Sequence, residues 1–254
     1  MLGKIIEETA RFIWEKRPWL VLTGAGVSTE SGIPDFRSPG SGLWENYDPM
    51  EILSTRILWH KPQIFYQVGF PILMGFKNAQ PNPAHQVLAL WEQKGIVKAV
   101  VTQNIDSLHF KAGSRRVLEI HGHLRTGHCQ SCRQTYPIEV IEEKVKQKDI
   151  PPHCSCGGII RPDVVLFGDM LPPSFTEAEK LSHQFPLLVV GSSLQVSPAN
   201  FLPAHAPFLV IVNLSSTPFD ARADYLIRGK AGEVLTRINE IIEKLSLKDP
   251  NGDG

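Results

Sequence analysis

Apolar residues recur along this chain in two rhythms. Over residues 4–16, Ile5, Ile6, Ala10, Ile13 and Trp14 fall at helical spacing, which predicts an amphipathic helix. Residues 84–94 and 231–245 repeat that spacing and predict two more helices. Between them lie short unbroken apolar runs: WLVLTGAG (19–26), VKAVVTQN (97–104), VLEIHG (117–122), FPLLVVGSS (185–193) and FLVIVNLS (208–215). Each ends in small or polar residues. Short buried strands alternating with helices predict an α/β fold with a doubly wound, mostly parallel, Rossmann-like sheet.

Two stretches break the rhythm. Residues 40–80 mix prolines, aromatics and uneven periodicity, which predicts short helices and loops inserted after the first turn. Residues 125–157 hold every cysteine of the protein: Cys129 and Cys132 as C-x-x-C, then Cys154 and Cys156 as C-x-C. Two close pairs separated by a loop suit a tetrahedral Zn2+ held by four thiolates, with no position open to water, so a structural metal is expected. His128 and His153 stand beside the pairs as alternative donors. The domain reading follows: residues 1–39, 81–124 and 158–254 form the Rossmann-like domain. The helical insert 40–80 and the zinc-binding insert 125–157 together form a smaller one.

The polar residues that follow the apolar runs are Gly24 to Gly26, Gln103 to Asp106, His121, Ser192, Ser193 and Asn213. In a doubly wound sheet the carboxyl ends of the strands open onto one crevice. A single site built by these residues is expected there. The first turn, TGAGVSTESG, lets the backbone approach a phosphate closely. Its spacing departs from G-x-G-x-x-G, because the glycine after Gly26 is Gly32. No acidic residue stands in the usual ribose-binding place, which argues against an ordinary dehydrogenase.

Charge narrows the partners. Lys+Arg and Asp+Glu both number 26 in 254 residues, so the net charge is zero, and no basic stripe is present to suit nucleic acid. The N-terminal stretch MLGKIIEETARFIWEKRP is charged throughout, unlike a signal peptide, and no run has membrane-spanning length. A cytoplasmic monomer without direct nucleic-acid or membrane contact is expected.

Read together, these segments resemble the sirtuin family of NAD-dependent protein-lysine deacylases. The resemblance runs over nearly the whole chain, carried by GAGVSTESGIPDFR (24–37), TQNIDSLH (102–109), EIHG (119–122), the cysteine quartet, RPDVVLFGD (161–169), GSSLQVSPA (191–199) and VNL (212–214). It implies an NAD site made by Gly24, Ala25, Gly26, Thr29, Ile33, Asp35, Phe36, Arg37, Gln103, Asn104, Ile105, Asp106, His121, Gly191, Ser192, Ser193, Asn213, Lys230 and Ala231. Val165, Phe167, Gly168 and Val196 would hold an acetyl-lysine peptide by strand addition. His121, with Asn104, would be catalytic: nicotinamide leaves the ribose, the acyl oxygen takes its place, and a ribose hydroxyl is deprotonated through the imidazole. Asp169 stands where the family usually has Glu. Family members that prefer acidic acyl groups carry Tyr-x-x-Arg in the helical insert. The matching stretch FYQVGF (65–70) keeps Tyr66 but has Gly69 in place of the Arg. Alternative readings are an NAD-dependent protein ADP-ribosyltransferase and a non-catalytic zinc protein that binds NAD or ADP-ribose.

Overall fold

The computed structural model describes residues 2–35 and 48–248. Six strands form one all-parallel sheet: β1 (Trp19–Thr23), β2 (Val97–Thr102), β3 (Val117–Glu119), β7 (Leu187–Val190), β8 (Leu209–Val212) and β9 (Tyr225–Ile227). Their order is β3-β2-β1-β7-β8-β9. The chain therefore winds outward from β1, returns to β7 beside it, and winds the other way. The change of direction at β1 and β7 leaves a crevice beyond their carboxyl ends.

The central strands are apolar on both faces, as parallel strands covered by helices must be. Every residue of β1, β7 and β8 is buried. One face is covered by α1 (Leu2–Glu15), α6 (Pro83–Gln93) and α11 (Ala231–Ser246). Ile6, Ala10 and Ile13 of α1 and Val234, Leu235, Ile238 and Ile242 of α11 are the buried faces of those two helices, which pack on each other. The start of α6 is fixed locally: Asn82 and His85 form a reciprocal cap and Pro83 takes the first turn, where no amide hydrogen is needed. The opposite face packs against α9 (Pro173–Ser182) and α10 (Leu202–His205).

A second sheet of three antiparallel strands joins β4 (Gly122–Cys129), β5 (Thr135–Pro137) and β6 (Ile160–Val164), with α8 (Ile138–Lys146) on it. Three short helices, α2 (Pro49–Ile52), α3 (Thr55–His60) and α5 (Phe70–Met74), share a core with it that runs from Ile52 to Leu166, and the exposed single turn α4 (Pro62–Ile64) links α3 to the stretch before α5. A wide π turn, Phe65–Gly69, joins α4 to α5. Small α7 (Leu108–Lys111) follows β2.

Candidate functional site

The two parts meet along a cavity of about 620 Å³ beyond the carboxyl ends of β1, β2, β7 and β8. Every described residue expected at the cofactor and peptide sites lines it, from Gly24 on the first turn to Ala231 at the head of α11. Phe36 and Arg37 lie outside the described residues. The first turn crosses the end of β7 at van der Waals contact. The Gly26 amide donates to the Gly191 carbonyl at 2.8 Å. A Cβ on Gly26 would stand 2.8 Å from that oxygen, and one on Gly191, at φ +62, would stand 2.2 Å from the Val27 nitrogen. Side chains at these positions would push the two strand ends apart and fill the crevice.

His121 sits where the large sheet hands over to the small one, between β3 and β4. Gly122 turns there at φ +74, and a Cβ would fall 2.2 Å from the Asp163 carbonyl. The His121 backbone carbonyl accepts the Val165 N–H at 2.8 Å, which ties the histidine to the segment expected to hold substrate. Its Nδ1 lies 2.9 Å from the Gln103 carbonyl oxygen. A carbonyl only accepts, so Nδ1 carries the hydrogen and the neutral ring keeps a lone pair on Nε2. Burial lowers the His121 pKa, opposed by the bond to Gln103.

Beneath the cavity a polar network fixes the next two residues. Asn104 Nδ2 donates to the Gly24 carbonyl at 3.1 Å and to Ser28 Oγ at 3.1 Å. Those bonds set the amide orientation, so its Oδ1 is the group left for a ligand. Ser28 Oγ donates to Asp106 Oδ2 at 2.7 Å, and Asp106 Oδ1 accepts the Leu108 amide at 2.9 Å. Asp106 thus caps α7 while lining the cavity. Gln103 Nε2 reaches Ser192 Oγ across the β1–β7 junction at 2.9 Å.

Two buried histidines support this network, and sequence reasoning gave them no role. His85 lies 3.5 Å from Ser28 Oγ through Nε2, and His109 lies 3.0 Å from Thr23 Oγ1. Their rings meet at 4.8 Å. Burial first, with only partial relief from Asp106, drops the His85 pKa to about 4. Burial and then His85 hold His109 well below the usual histidine range. Both are neutral at pH 7. Ser28 lies within the glycine turn TGAGVSTESG. His85 carried a local signal too, because it closes the cap of α6.

An apolar arm of the cavity is lined by Leu53, Leu73, Phe76, Ile105, Val164 and Leu166. Tyr66 does not join it. The side chain is fully buried in the adjoining core, and its hydroxyl donates to the Ile160 carbonyl at 2.7 Å. Nor does the Gly69 position open on the arm: a Cβ there would lie 2.5 Å from the Ile52 carbonyl. The Gly69 position of FYQVGF therefore faces the α2 backbone and the Leu53 side chain. Lys230 is the one Lys or Arg among the described lining residues. Asp169 accepts both Arg161 guanidinium nitrogens, at 2.6 and 3.1 Å, and the Leu166 amide at 2.8 Å. The shorter acid thus still closes its loop.

The four cysteine Sγ atoms lie within 4.8 Å of one another. Cys129 and Cys156 are 3.5 Å apart, Cys132 and Cys154 3.6 Å. Zinc–sulfur bonds of about 2.3 Å place tetrahedral sulfurs roughly 3.8 Å apart, so the donor set fits Zn2+ despite the short C-x-C pair. The amides of Ser131 and Cys132 point at Cys129 Sγ, and the Tyr136 hydroxyl donates to Cys154 at 3.0 Å. The Cys156 amide and then Tyr136 lower the Cys154 pKa to about 6, favouring thiolate. His128 and His153 turn to Asp163 and Asp149 instead.

The sequence model of the Sir2 family matches residues 24–198. The NAD-dependent protein deacetylase 2 of Caldanaerobacter subterraneus subsp. tengcongensis is 52% identical over 94% of this chain and 96% of its own length. The NAD-dependent protein deacylase 2 of Archaeoglobus fulgidus is 44% identical over 94% and 97%. Among solved structures, a Sir2 protein with a p53 peptide and NAD+ superposes with a TM-score of 0.84 at 39% identity, covering 92% of this chain and 96% of that one. Another, with a deacetylated p53 peptide and 3'-O-acetyl ADP ribose, gives 0.88 at 38%, covering 92% and 97%.

Proposed function

The chain belongs to the Sir2 family, and from that premise we propose that it removes acetyl groups from protein lysine side chains, consuming NAD and releasing nicotinamide, O-acetyl-ADP-ribose and free lysine. One observation carries the reading. A neutral imidazole with its free nitrogen available, an amide oxygen and a carboxylate all line one crevice with a glycine turn.

NAD, when bound, would supply the ribose carbon that takes the acyl oxygen and the nicotinamide that leaves it. The protein's part is positional and protolytic. The backbone at Gly24, Ala25 and Gly26, with Thr29, Ser192 and Ser193, would carry the phosphates and riboses, and Asn213, Lys230 and Ala231 the adenosine end. Asp35, Ile33 and Ile105 would enclose the nicotinamide, whose amide hydrogens Asp106 would accept. Asn104 Oδ1 would face positive charge growing on the sugar. His121 Nε2 would take the proton of a ribose hydroxyl. On the peptide side, Phe167 already uses its amide and carbonyl on Leu53 and Thr55. Leu166 uses both of its own on Asp169, and an acetyl-lysine peptide would lie between 165–168 and Val196. The four thiolates would hold one structural Zn2+. The reading takes the enzyme to act as a cytoplasmic monomer on protein, not nucleic acid.

The test is incubation with NAD and an acetyl-lysine peptide, followed by mass spectrometry. Loss of the acetyl group and appearance of O-acetyl-ADP-ribose are expected. His121→Ala should still bind NAD yet turn over at least roughly 10²-fold more slowly. An unchanged peptide, or transfer of ADP-ribose onto protein instead, would overturn the reading.

A further inference from the structure

Glu30 follows Thr29 on the glycine-turn wall of the cavity, but it does not line the cavity itself. Its Oε2 accepts the backbone N–H of Gly232 at 2.6 Å, a bond between residues 202 apart. Gly232 lies in the first turn of α11, a helix of 16 residues whose N-cap, Lys230, contributes no side-chain cap. The first turn of a helix leaves amide donors without partners, and its positive end favours an anion. Glu30 supplies an acceptor for one of those donors and the negative charge. The contact is close: a Cβ on Gly232 would stand 2.9 and 3.0 Å from the two carboxylate oxygens.

The bond joins two adjacent stretches of the cavity wall. Thr29 precedes Glu30 on one, and Lys230 and Ala231 precede Gly232 on the other. We propose that Glu30 is a positioning residue that holds the glycine turn and the head of α11 at the separation NAD needs, and so sets affinity for NAD without taking part in the chemistry. The inference rests on the reading of the cavity as an NAD site. It differs from simple helix capping, which would stabilise α11 without changing the cavity.

Gly232→Ala separates the two. Alanine favours the helix but its methyl displaces the Glu30 cap, so capping alone predicts a change confined to stability, with NAD binding unchanged. Positioning predicts weaker NAD binding, because the methyl group displaces the carboxylate. The experiment measures melting temperature, calorimetric NAD affinity and steady-state kinetics for the parent, Glu30→Ala, Glu30→Gln, Gly232→Ala and the double variant Glu30→Ala/Gly232→Ala. Glu30→Ala and Gly232→Ala should raise Kd and KM for NAD roughly five- to tenfold, in keeping with one charge-assisted bond at a helix end. Values of kcat and of KM for the acetyl peptide should stay within about twofold. Glu30→Gln keeps an acceptor and should recover most of the loss. The double variant should bind NAD no worse than Glu30→Ala, since both changes break one contact. NAD affinity within twofold of the parent in Gly232→Ala would overturn the inference and leave the NAD reading standing. A parent chain that binds no NAD would overturn both.

Discussion

His121 is set up by what surrounds it. The Gln103 carbonyl fixes the tautomer, and desolvation lowers the pKa from the ordinary 6.5. The sign of the pH effect follows. The base works when neutral, so activity is lost as pH falls through the His121 pKa. That loss lies below pH 6.5, at more acidic pH than an exposed histidine would give. We expect the acid limb of kcat/KM to have its midpoint below 6.5, measured on one acetyl peptide over pH 4.5–8. A midpoint at or above 6.5 would show that burial does not govern the base. His121, Asn104 and Asp106 were legible in the sequence because each stands where an apolar run ends. The service of Ser28, His85 and His109 to them was not. It arises from contacts across 57 to 86 positions, which no local spacing announces.

Among the elements, the π turn Phe65–Gly69 gives the most instructive difference. By alignment, the Gly69 position would carry the clamp for an acidic acyl chain. In the fold it crosses the α2 backbone, and Tyr66 is spent on the Ile160 carbonyl. Other residues bear on the same expectation: the arm is walled by Leu53, Leu73, Phe76 and Leu166, while Arg56 pairs with Glu51 and Lys77 with Glu142. A succinyl carboxylate would meet no cation among the described residues walling that arm, at a cost of several kcal/mol. Acetyl-lysine should exceed succinyl-lysine by about 10²-fold in kcat/KM, or roughly 2.7 kcal/mol, in side-by-side assays on one peptide. Equal turnover would mean that a cation does reach the acyl group. The cysteine quartet belongs to the same core, since Cys129 and Cys154 pack with Ile52, Phe65 and Leu166. Removing the metal should therefore slacken the acyl arm as well as the small sheet. Cys154→Ser should lower bound zinc well below one per chain and depress the melting temperature. Full zinc content with unchanged melting would refute the assignment.

At the scale of the whole molecule, the parallel sheet was legible because its central strands are apolar on both faces and each gives way to a turn. The missed elements have physical reasons. β6 contains Pro162, which reads as a break, yet the strand lies at the edge of its sheet, where a missing donor is tolerated. β9 is three residues long and half-buried, and α9 has only a faint apolar face. No described helix is long and apolar enough to cross a membrane.

The switch of winding direction beside β1 also has a consequence in time. Leu20 pairs with Ala99 on one side but with Leu187 on the other, and the walls of the crevice are joined through β7, Gly191, Ser192 and α11. On the ribosome, a nascent chain that has reached β3 already contains the glycine turn, Asn104 and Asp106. It still lacks the strand that gives the turn something to cross. Such non-local pairing makes for slow folding, since long loops must close before their contacts reward them. The coenzyme site is complete only once β7 and α11 have been made, so NAD binding stabilises the finished molecule and not a chain that has reached only β3.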